Sequence, residues 1–142
     1  MKTSPVFYHG SSVFLAPGTL LRPDPRHEEH WTDNGWYRAL ELHRPEGMLA
    51  HRDAVFCCDN PDDLDAAGGG TDWVFTVVPR GPASRHDMNW GTRIDLAIEE
   101  GKNIEDEAIA ALARNYWAGV ATEDPLWEYL AAGAKIIAVQ PF

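Results

Sequence analysis

Short apolar and aromatic runs recur along the chain, separated by proline, glycine and charged residues. Runs of this length that are rich in β-branched and aromatic residues are typical of strands, and the flanking breakers mark their ends. The last two runs are expected to form antiparallel strands joined by a turn at Ala132 and Gly133. The predicted strands cover residues 6–8, 54–58, 73–78, 125–130 and 135–139.

Apolar residues at spacings of three and four predict helices between these strands. Asn60 and Asn103 are expected to cap two of them, and the glycines at 68–70 to end the first of these two. For the short segment 36–43, a surface loop is the alternative. The predicted helices cover residues 36–43, 60–67, 92–100 and 104–116.

Alternation of short strands with helices favours an α+β fold. The chain has 142 residues, of which 44% are hydrophobic. That length is usual for one domain and too short for two well-buried ones. We therefore predict a single domain covering residues 1–142.

The charge balance limits the partners of the chain. Lys and Arg number 12 against 22 Asp and Glu, for a net charge of −10. Such a charge disfavours broad electrostatic binding to nucleic acid or to anionic membranes. The sequence has neither an apolar run long enough to span a membrane nor a signal-peptide pattern, so we expect a cytoplasmic location. Adjacent Cys57 and Cys58 cannot staple distant segments, which fits a reducing compartment.

The segment His27-Glu28-Glu29-His30 is the closest approach to a metal motif. Zinc-binding helices place two histidines four residues apart, whereas these two are three apart and follow Pro25. The other histidines also lack a ligand spacing. We expect no metal cofactor.

The first strand runs directly into a polar group of residues. His9 follows the strand, and Gly10 is expected to end it, because glycine allows a sharp turn or the close approach of a ligand. Ser11 adds a hydroxyl. This combination suits a flat, polar ligand. The alternative is that His9 is a core histidine and Gly10 an ordinary turn residue.

Glu128 stands within the apolar strand 125–130, where a carboxylate needs a specific partner. Side chains alternate along a strand, so Glu128 points away from its neighbours Trp127 and Tyr129. If the two aromatic rings face the core, Glu128 faces a cleft. The alternative is an edge-strand glutamate that points to solvent.

These segments resemble motifs of one enzyme family. Tyr8-His9-Gly10-Ser11 is similar to the first motif of the ADP-ribosyltransferases that carry a histidine there, the group of rifampicin ADP-ribosyltransferase and the diphtheria-toxin-like enzymes. Phe56 falls at the aromatic position of the middle motif. The stretch 127–136 closely resembles the third motif, in which a catalytic glutamate precedes a glycine turn and a further strand.

The resemblance implies two small antiparallel sheets around an NAD cleft, with flanking helices. Glu128 is then the catalytic carboxylate, and His9 fixes the adenosine-side ribose. The implied cofactor-binding residues are Tyr8, His9, Gly10, Ser11 and Phe56, with Gly10 at the carboxamide, Ser11 at a ribose hydroxyl and Phe56 on the nicotinamide ring.

An anionic pyrophosphate needs a local cation in so acidic a protein, and we assign that role to Arg22 or Arg52. Two positions depart from the family pattern. Phe56 replaces a tyrosine, and Leu126 replaces the glutamate of arginine-modifying members, which disfavours arginine as the acceptor. The acidic position of the middle motif falls near His86 and Asp87.

The resemblance predicts a mono-ADP-ribosyltransferase, which moves ADP-ribose from NAD to an acceptor and releases nicotinamide. The acceptor is a protein, a nucleic acid or a small molecule. The alternatives are an NAD glycohydrolase, with water as acceptor, and a non-catalytic NAD- or ligand-binding module on the same fold. The sequence leaves open whether Asp87 or Glu123 shares the catalytic role, and it does not indicate an oligomeric state.

Overall fold

A computed structural model of the chain describes residues 5–24, 26, 29, 31–64 and 72–142. These residues form three α-helices and seven strands, together with 3₁₀ turns at His51–Asp53 and Pro61–Asp63. The helices are α1 (Gly35–Leu42), α2 (Asn89–Glu99) and α3 (Glu107–Trp117). The strands are β1 (Phe7–Ser11), β2 (Leu20–Leu21), β3 (Val55–Cys57), β4 (Trp73–Pro79), β5 (Ser84–Asp87), β6 (Trp127–Ala131) and β7 (Ala134–Pro141).

The strands build two antiparallel sheets. The first sheet has the order β1-β4-β7-β2, and the second has the order β3-β6-β5. A bridge between Tyr8 and Cys58 joins the edge of the first sheet to the end of β3, with N···O distances of 2.8 and 2.9 Å. The predicted α+β class with two antiparallel sheets is therefore confirmed.

The elements stack in three layers. Between the sheets, Phe75 and Ile136 of the first sheet pack with Val55 of the second, all almost fully buried. On its other face, the second sheet meets the three described helices, where Leu130 packs with Ile109. Because side chains alternate along a strand, successive residues of β6 point alternately towards the first sheet and towards the helices.

The predicted pairing of the last two strands is wrong. β6 pairs with β3 and β5, whereas β7 pairs with β2 and β4. Ala132 and Gly133 therefore form a corner that passes the chain from one sheet to the other. Gly133 suits this corner, because a Cβ there would lie 3.2 Å from the carbonyl oxygen of Leu21.

The extents of two strand regions also differ from prediction. β1 continues through Gly10 to Ser11, which pairs with Trp73, so Gly10 does not end the strand. β5 was not predicted, because its sequence Ser-Arg-His-Asp is polar throughout. Its residues His86 and Asp87 are nevertheless fully buried, with hydrogen bonds to both side chains.

The helices follow the predicted pattern with shifted starts. The short helix at 36–43 is confirmed as α1, and α2 begins three residues earlier than predicted. α3 begins after Asp106 rather than Asn103, and the Asp106 carboxylate accepts the main-chain N–H of Asn103 at 2.8 Å. Within the described residues, no helix has the length and apolar character needed to cross a membrane.

The helix predicted at 60–67 is described only in part. The Asn60 side chain accepts the N–H of Asp62 at 3.0 Å, which confirms the predicted cap. A 3₁₀ turn follows at Pro61–Asp63. Residues 65–67 of this prediction and the glycines at 68–70 lie outside the described residues.

Candidate functional site

A cavity of about 240 Å³ lies between the second sheet and the helices. Strands β3 and β6 contribute one wall, and α1, α2 and α3 contribute the others. It is lined by Trp31, Trp36, Leu40, His51, Phe56, Met88, Asn89, Gly91, Thr92, Asp95, Tyr116, Leu126 and Glu128.

Glu128 is the buried carboxylate of this cavity. It lies on the central strand of the second sheet, with 8% of its surface exposed. Trp127 and Tyr129 point to the opposite face, where Tyr129 packs on Phe7 with ring centroids 4.3 Å apart. The alternative of a solvent-facing edge glutamate is therefore wrong. Burial raises the pKa of Glu128, while the charge of His51 and a hydrogen bond from Tyr116 act against that rise.

A chain of hydrogen bonds leads from Glu128 to the surface. The Tyr116 hydroxyl donates to Oε1 of Glu128. Nε2 of His51 lies 2.8 Å from the same hydroxyl and 3.9 Å from that carboxylate oxygen. On the other side of the ring, Nδ1 of His51 lies 2.6 Å from Oε1 of Glu41. These bonds connect α3, β6, α1 and the 3₁₀ turn at His51–Asp53.

Glu41 is held as a carboxylate at the outer end of this chain. Burial would raise its pKa, but hydrogen bonds from the ring and main-chain N–H of His51 and from Arg44 hold that pKa below the usual value. The main-chain N–H of His51 lies 2.8 Å from Oε1, and Nε of Arg44 lies 3.0 Å from Oε2. Three donors therefore fix this one side chain.

A second histidine contacts Tyr116 from β5. The rings of His86 and Tyr116 stack with centroids 4.6 Å apart. Nδ1 of His86 donates to the carbonyl oxygen of Tyr116 at 2.8 Å, and Nε2 accepts from the Ser84 hydroxyl at 2.7 Å. Burial lowers the pKa of His86 to about 4, so it is neutral at pH 7.

Aromatic rings also line the cavity. Trp31 meets Phe56 edge to face, with ring centroids 5.1 Å apart, and Trp36 lies beside Trp31. Asp95 accepts the main-chain N–H of Trp36, and burial raises the pKa of Asp95. None of the described lining residues is Lys or Arg. The cavity thus combines aromatic faces with acidic groups.

His9 lies next to this cavity rather than in its lining. Its Nδ1 is 2.6 Å from the carbonyl oxygen of Phe56, which it reaches across the gap between β1 and β3. Its ring stacks on Phe75 with centroids 6.2 Å apart. His9 therefore contacts the main chain of Phe56, whose ring lines the cavity.

The other residues of the first motif point elsewhere. Tyr8 packs on Leu64 and Val74, on the face of β1 opposite His9. The Ser11 hydroxyl closes a local turn, donating to the carbonyl oxygen of Val13 at 2.8 Å and accepting its N–H at 3.0 Å. Gly10 pairs with Val74 within the sheet. The cofactor roles of these residues stay predictions.

The two candidate cations lie apart. Arg52 is exposed on the 3₁₀ turn directly after His51. Arg22 is exposed beside Arg80, at a separate depression formed where β2 meets the corner at Gly133. The structure therefore brings Arg52, but not Arg22, close to the series of hydrogen bonds that runs from Glu41 through His51 and Tyr116 to Glu128.

Asp87 has a structural position. Its Oδ1 accepts the N–H groups of Asn89 and Leu126 at 3.0 and 3.1 Å. Its Oδ2 accepts the N–H and the hydroxyl of Thr122 at 2.7 and 2.6 Å. Neither Asp87 nor the exposed Glu123 lines the cavity around Glu128.

No cluster of three potential metal ligands occurs in the part of the chain that the structure describes. His27, Glu28 and His30 lie outside that part. We expect activity to be unchanged after treatment with EDTA, because every role assigned here belongs to a group of the protein itself. Loss of activity on chelation, with recovery on addition of zinc, would contradict this.

Sequence patterns did not indicate the partners of Glu128. Tyr116 lies on the apolar face of α3 and is almost fully buried, which is typical of an ordinary core residue. Its hydroxyl nevertheless reaches Glu128. His51 lies 65 residues before Tyr116 in the chain, so local periodicity could not place them together.

Comparison with known proteins returned no match. No protein-family model matches the chain, and no curated protein matches it at a significant level.

Proposed function

We propose that this protein transfers ADP-ribose from NAD to an acceptor, with Glu128 as the catalytic carboxylate. One observation carries the proposal: the buried carboxylate of Glu128 opens into an aromatic-walled cavity beside Phe56. The similarity of the first and third motifs to those of ADP-ribosyltransferases supports the same assignment.

The cavity suits the nicotinamide ring of NAD. That ring is a flat cation in the oxidised cofactor, and cations bind favourably over aromatic faces. Phe56, Trp31 and Trp36 supply such faces, and Glu128 and Asp95 supply acidic groups. An acidic cavity without Lys or Arg among its described lining residues would repel the phosphates, which favours entry of the ring alone.

The chemistry explains why a carboxylate is needed. The bond between the nicotinamide nitrogen and the ribose carbon breaks, and nicotinamide leaves with the electron pair. The ribose carbon then carries oxocarbenium character, as in glycoside hydrolysis. Ionised Glu128 stabilises that positive charge. The acceptor attacks the same carbon and gives up its proton.

His9 and Gly10 would bind the cofactor from β1. The hydrogen bond between His9 and the Phe56 carbonyl holds the imidazole next to the strand that carries the stacking ring. Arg52 lies on the turn that follows His51 and is the better placed of the two candidate phosphate ligands. No metal takes part in this scheme.

The acceptor is not an arginine in this proposal, because Leu126 occupies the position at which arginine-modifying enzymes carry a second glutamate. Leu126 lines the cavity two residues before Glu128. Water as the acceptor would make the protein an NAD glycohydrolase with the same site. A non-catalytic module that binds NAD is the third candidate.

The experiment is incubation with NAD labelled on its adenylate part, with and without cell lysate, and with Glu128→Gln as the matched control. Label that appears on a macromolecule with the unmodified protein, but not with Glu128→Gln, supports transfer. Free ADP-ribose alone supports hydrolysis. Binding of NAD without turnover supports the binding module, and absence of both binding and turnover would overturn the proposal.

Replacing His9 with Ala is expected to weaken NAD binding by about tenfold, the equivalent of one hydrogen bond to a ligand. The fold should persist, because His9 is only half-buried at the edge of the first sheet. Calorimetric titration with NAD, alongside thermal melting, measures both quantities. Unchanged affinity in a destabilised protein would instead assign His9 to the packing between β1 and β3.

A further inference from the structure

We propose that His51 is a positioning residue for Glu128. As an imidazolium buried between Glu41 and Tyr116, it orients the Tyr116 hydroxyl towards Glu128 and keeps the Glu128 carboxylate ionised. The consequence for turnover rests on the function proposed above, whereas the charge state of His51 does not.

The first half of the inference comes from Nδ1 of His51. It faces Oε1 of Glu41 at 2.6 Å, and Glu41 also accepts Nε of Arg44 at 3.0 Å. An ionised carboxylate only accepts hydrogen bonds. Nδ1 must therefore carry a proton. Because His51 is 3% exposed, water does not compete for this contact.

The second half comes from Nε2. It lies 2.8 Å from the Tyr116 hydroxyl, which has a single proton and donates it to Glu128. Burial raises the pKa of Tyr116 far above its usual value, so that proton is retained. The hydroxyl oxygen must then accept from Nε2. Both ring nitrogens carry protons, and the ring is positively charged.

One other proton arrangement fits the same geometry. Glu128 would then be protonated and donate to Tyr116, which would donate to a neutral His51. In water an imidazole holds its proton more tightly than a carboxylic acid does, whereas burial of Glu128 raises the pKa of that carboxyl and narrows the difference. The Glu41 carboxylate, 2.6 Å from Nδ1, attracts a positive charge on the ring. The arrangement with charged His51 and charged Glu128 is therefore favoured.

Among the described residues, His51 is the cation nearest to Glu128, as the ionisable groups around these two side chains show. α1 contributes Tyr37 and Glu41, with Arg44 just beyond it; α3 contributes Tyr116, β5 contributes the neutral His86, and α2 contributes Asp95. The imidazolium lies 3.9 Å from the carboxylate, so its removal leaves the buried negative charge with the Tyr116 hydrogen bond but without this nearby positive charge.

The charge state can be measured without any substrate. Two-bond proton–nitrogen correlation spectra of the ¹⁵N-histidine-labelled protein distinguish an imidazolium from either neutral tautomer, and the His51→Gln spectrum assigns the signal. We expect both nitrogens of His51 to be protonated at pH 7. A neutral tautomer at pH 7 would overturn the inference.

The kinetic test compares pH profiles of NAD turnover. Activity needs ionised Glu128, so it falls as the pH drops through the pKa of Glu128. In His51→Gln the cation is gone, and the midpoint of this acidic limb should move up by about one to three pH units. The matched control is His43→Gln, since His43 donates to the carbonyl oxygen of Ile104 at 2.7 Å and does not line the cavity.

A purely structural His51 would lower turnover at every pH without moving the midpoint, and that result would overturn the inference. If His51→Gln does not fold, Glu41→Gln provides the second test, with a shift in the same direction. An imidazolium signal in a protein that never turns over NAD would support the charge state of His51 and overturn the proposed function instead.

Discussion

Replacing Glu128 with Gln is expected to reduce NAD turnover on the order of 10²–10³-fold, with little change in NAD affinity. Gln keeps the shape of the side chain and an oxygen that accepts the Tyr116 hydroxyl. It removes the charge, and that charge acts mainly on the positive ribose carbon formed in the transition state. The ground state of bound NAD depends less on it.

The measurement is turnover and NAD affinity of Glu128→Gln, compared with the unmodified protein. Glu105→Gln serves as the matched control, because Glu105 is an exposed glutamate away from the cavity. Full activity of Glu128→Gln would show that the buried carboxylate does not take part in the reaction. A parallel loss of affinity and turnover would assign Glu128 to ground-state binding instead.

The second large effect is expected at Asp87, where substitution by Asn should lower the free energy of unfolding by about 3 kcal/mol. Asp87 accepts four hydrogen bonds, two on each oxygen, from Asn89, Leu126 and Thr122. The amide group of Asn has one oxygen and one NH₂. In either orientation, the NH₂ therefore faces two groups that are themselves hydrogen-bond donors. One pair of buried N–H or O–H groups then loses its acceptor.

The pH dependence of this stabilisation follows from the Asp87 carboxylate. Burial would raise its pKa, but the bonds from Thr122, Asn89 and Leu126 hold it below the usual value. Its contribution is therefore complete above the pKa of the unfolded chain and lost as the pH falls through the lower, folded-state pKa. Urea unfolding of Asp87→Asn should differ from the unmodified protein strongly at pH 7 and less in acid.

The exposed Asp33 offers the matched control for that comparison, since Asp33→Asn changes the same net charge at a surface position. Equal stability of Asp87→Asn and Asp33→Asn at pH 7 would mean that the four hydrogen bonds contribute nothing net. Retained NAD turnover in folded Asp87→Asn would separate Asp87 from the catalytic role that the sequence left open.

The sequence predicted the strands that are buried through apolar side chains. β4 is apolar along most of its length, and β1 and β3 are short aromatic or β-branched runs. β5 was missed because its side chains are polar and become buried through hydrogen bonds rather than through apolar contact. The course of the chain after β6 was mispredicted because two residues that suit a hairpin also suit a corner between sheets.

For the site, the sequence predicted the unusual residue but not its partners. A glutamate between Trp127 and Tyr129 indicated a buried carboxylate, and Glu128 is buried. Tyr116 and His51 reach it only through the packing of α3 and of the turn after Ala50 against the second sheet. No local pattern encodes a contact that depends on tertiary structure, so these residues required the fold.

The corner at Ala132 and Gly133 joins strands that lie inside different sheets. β6 is the central strand of the second sheet, and β7 is flanked by β4 and β2 in the first. β6 and β7 each come later in the sequence than every strand with which they pair. Each sheet therefore stays incomplete until the segment that contains β6 and β7 docks. Because a two-residue link allows little independent movement, release of either strand should pull on the other. We therefore expect the two sheets to fold and unfold as one cooperative unit, and Glu128 to reach its partners only in that final step.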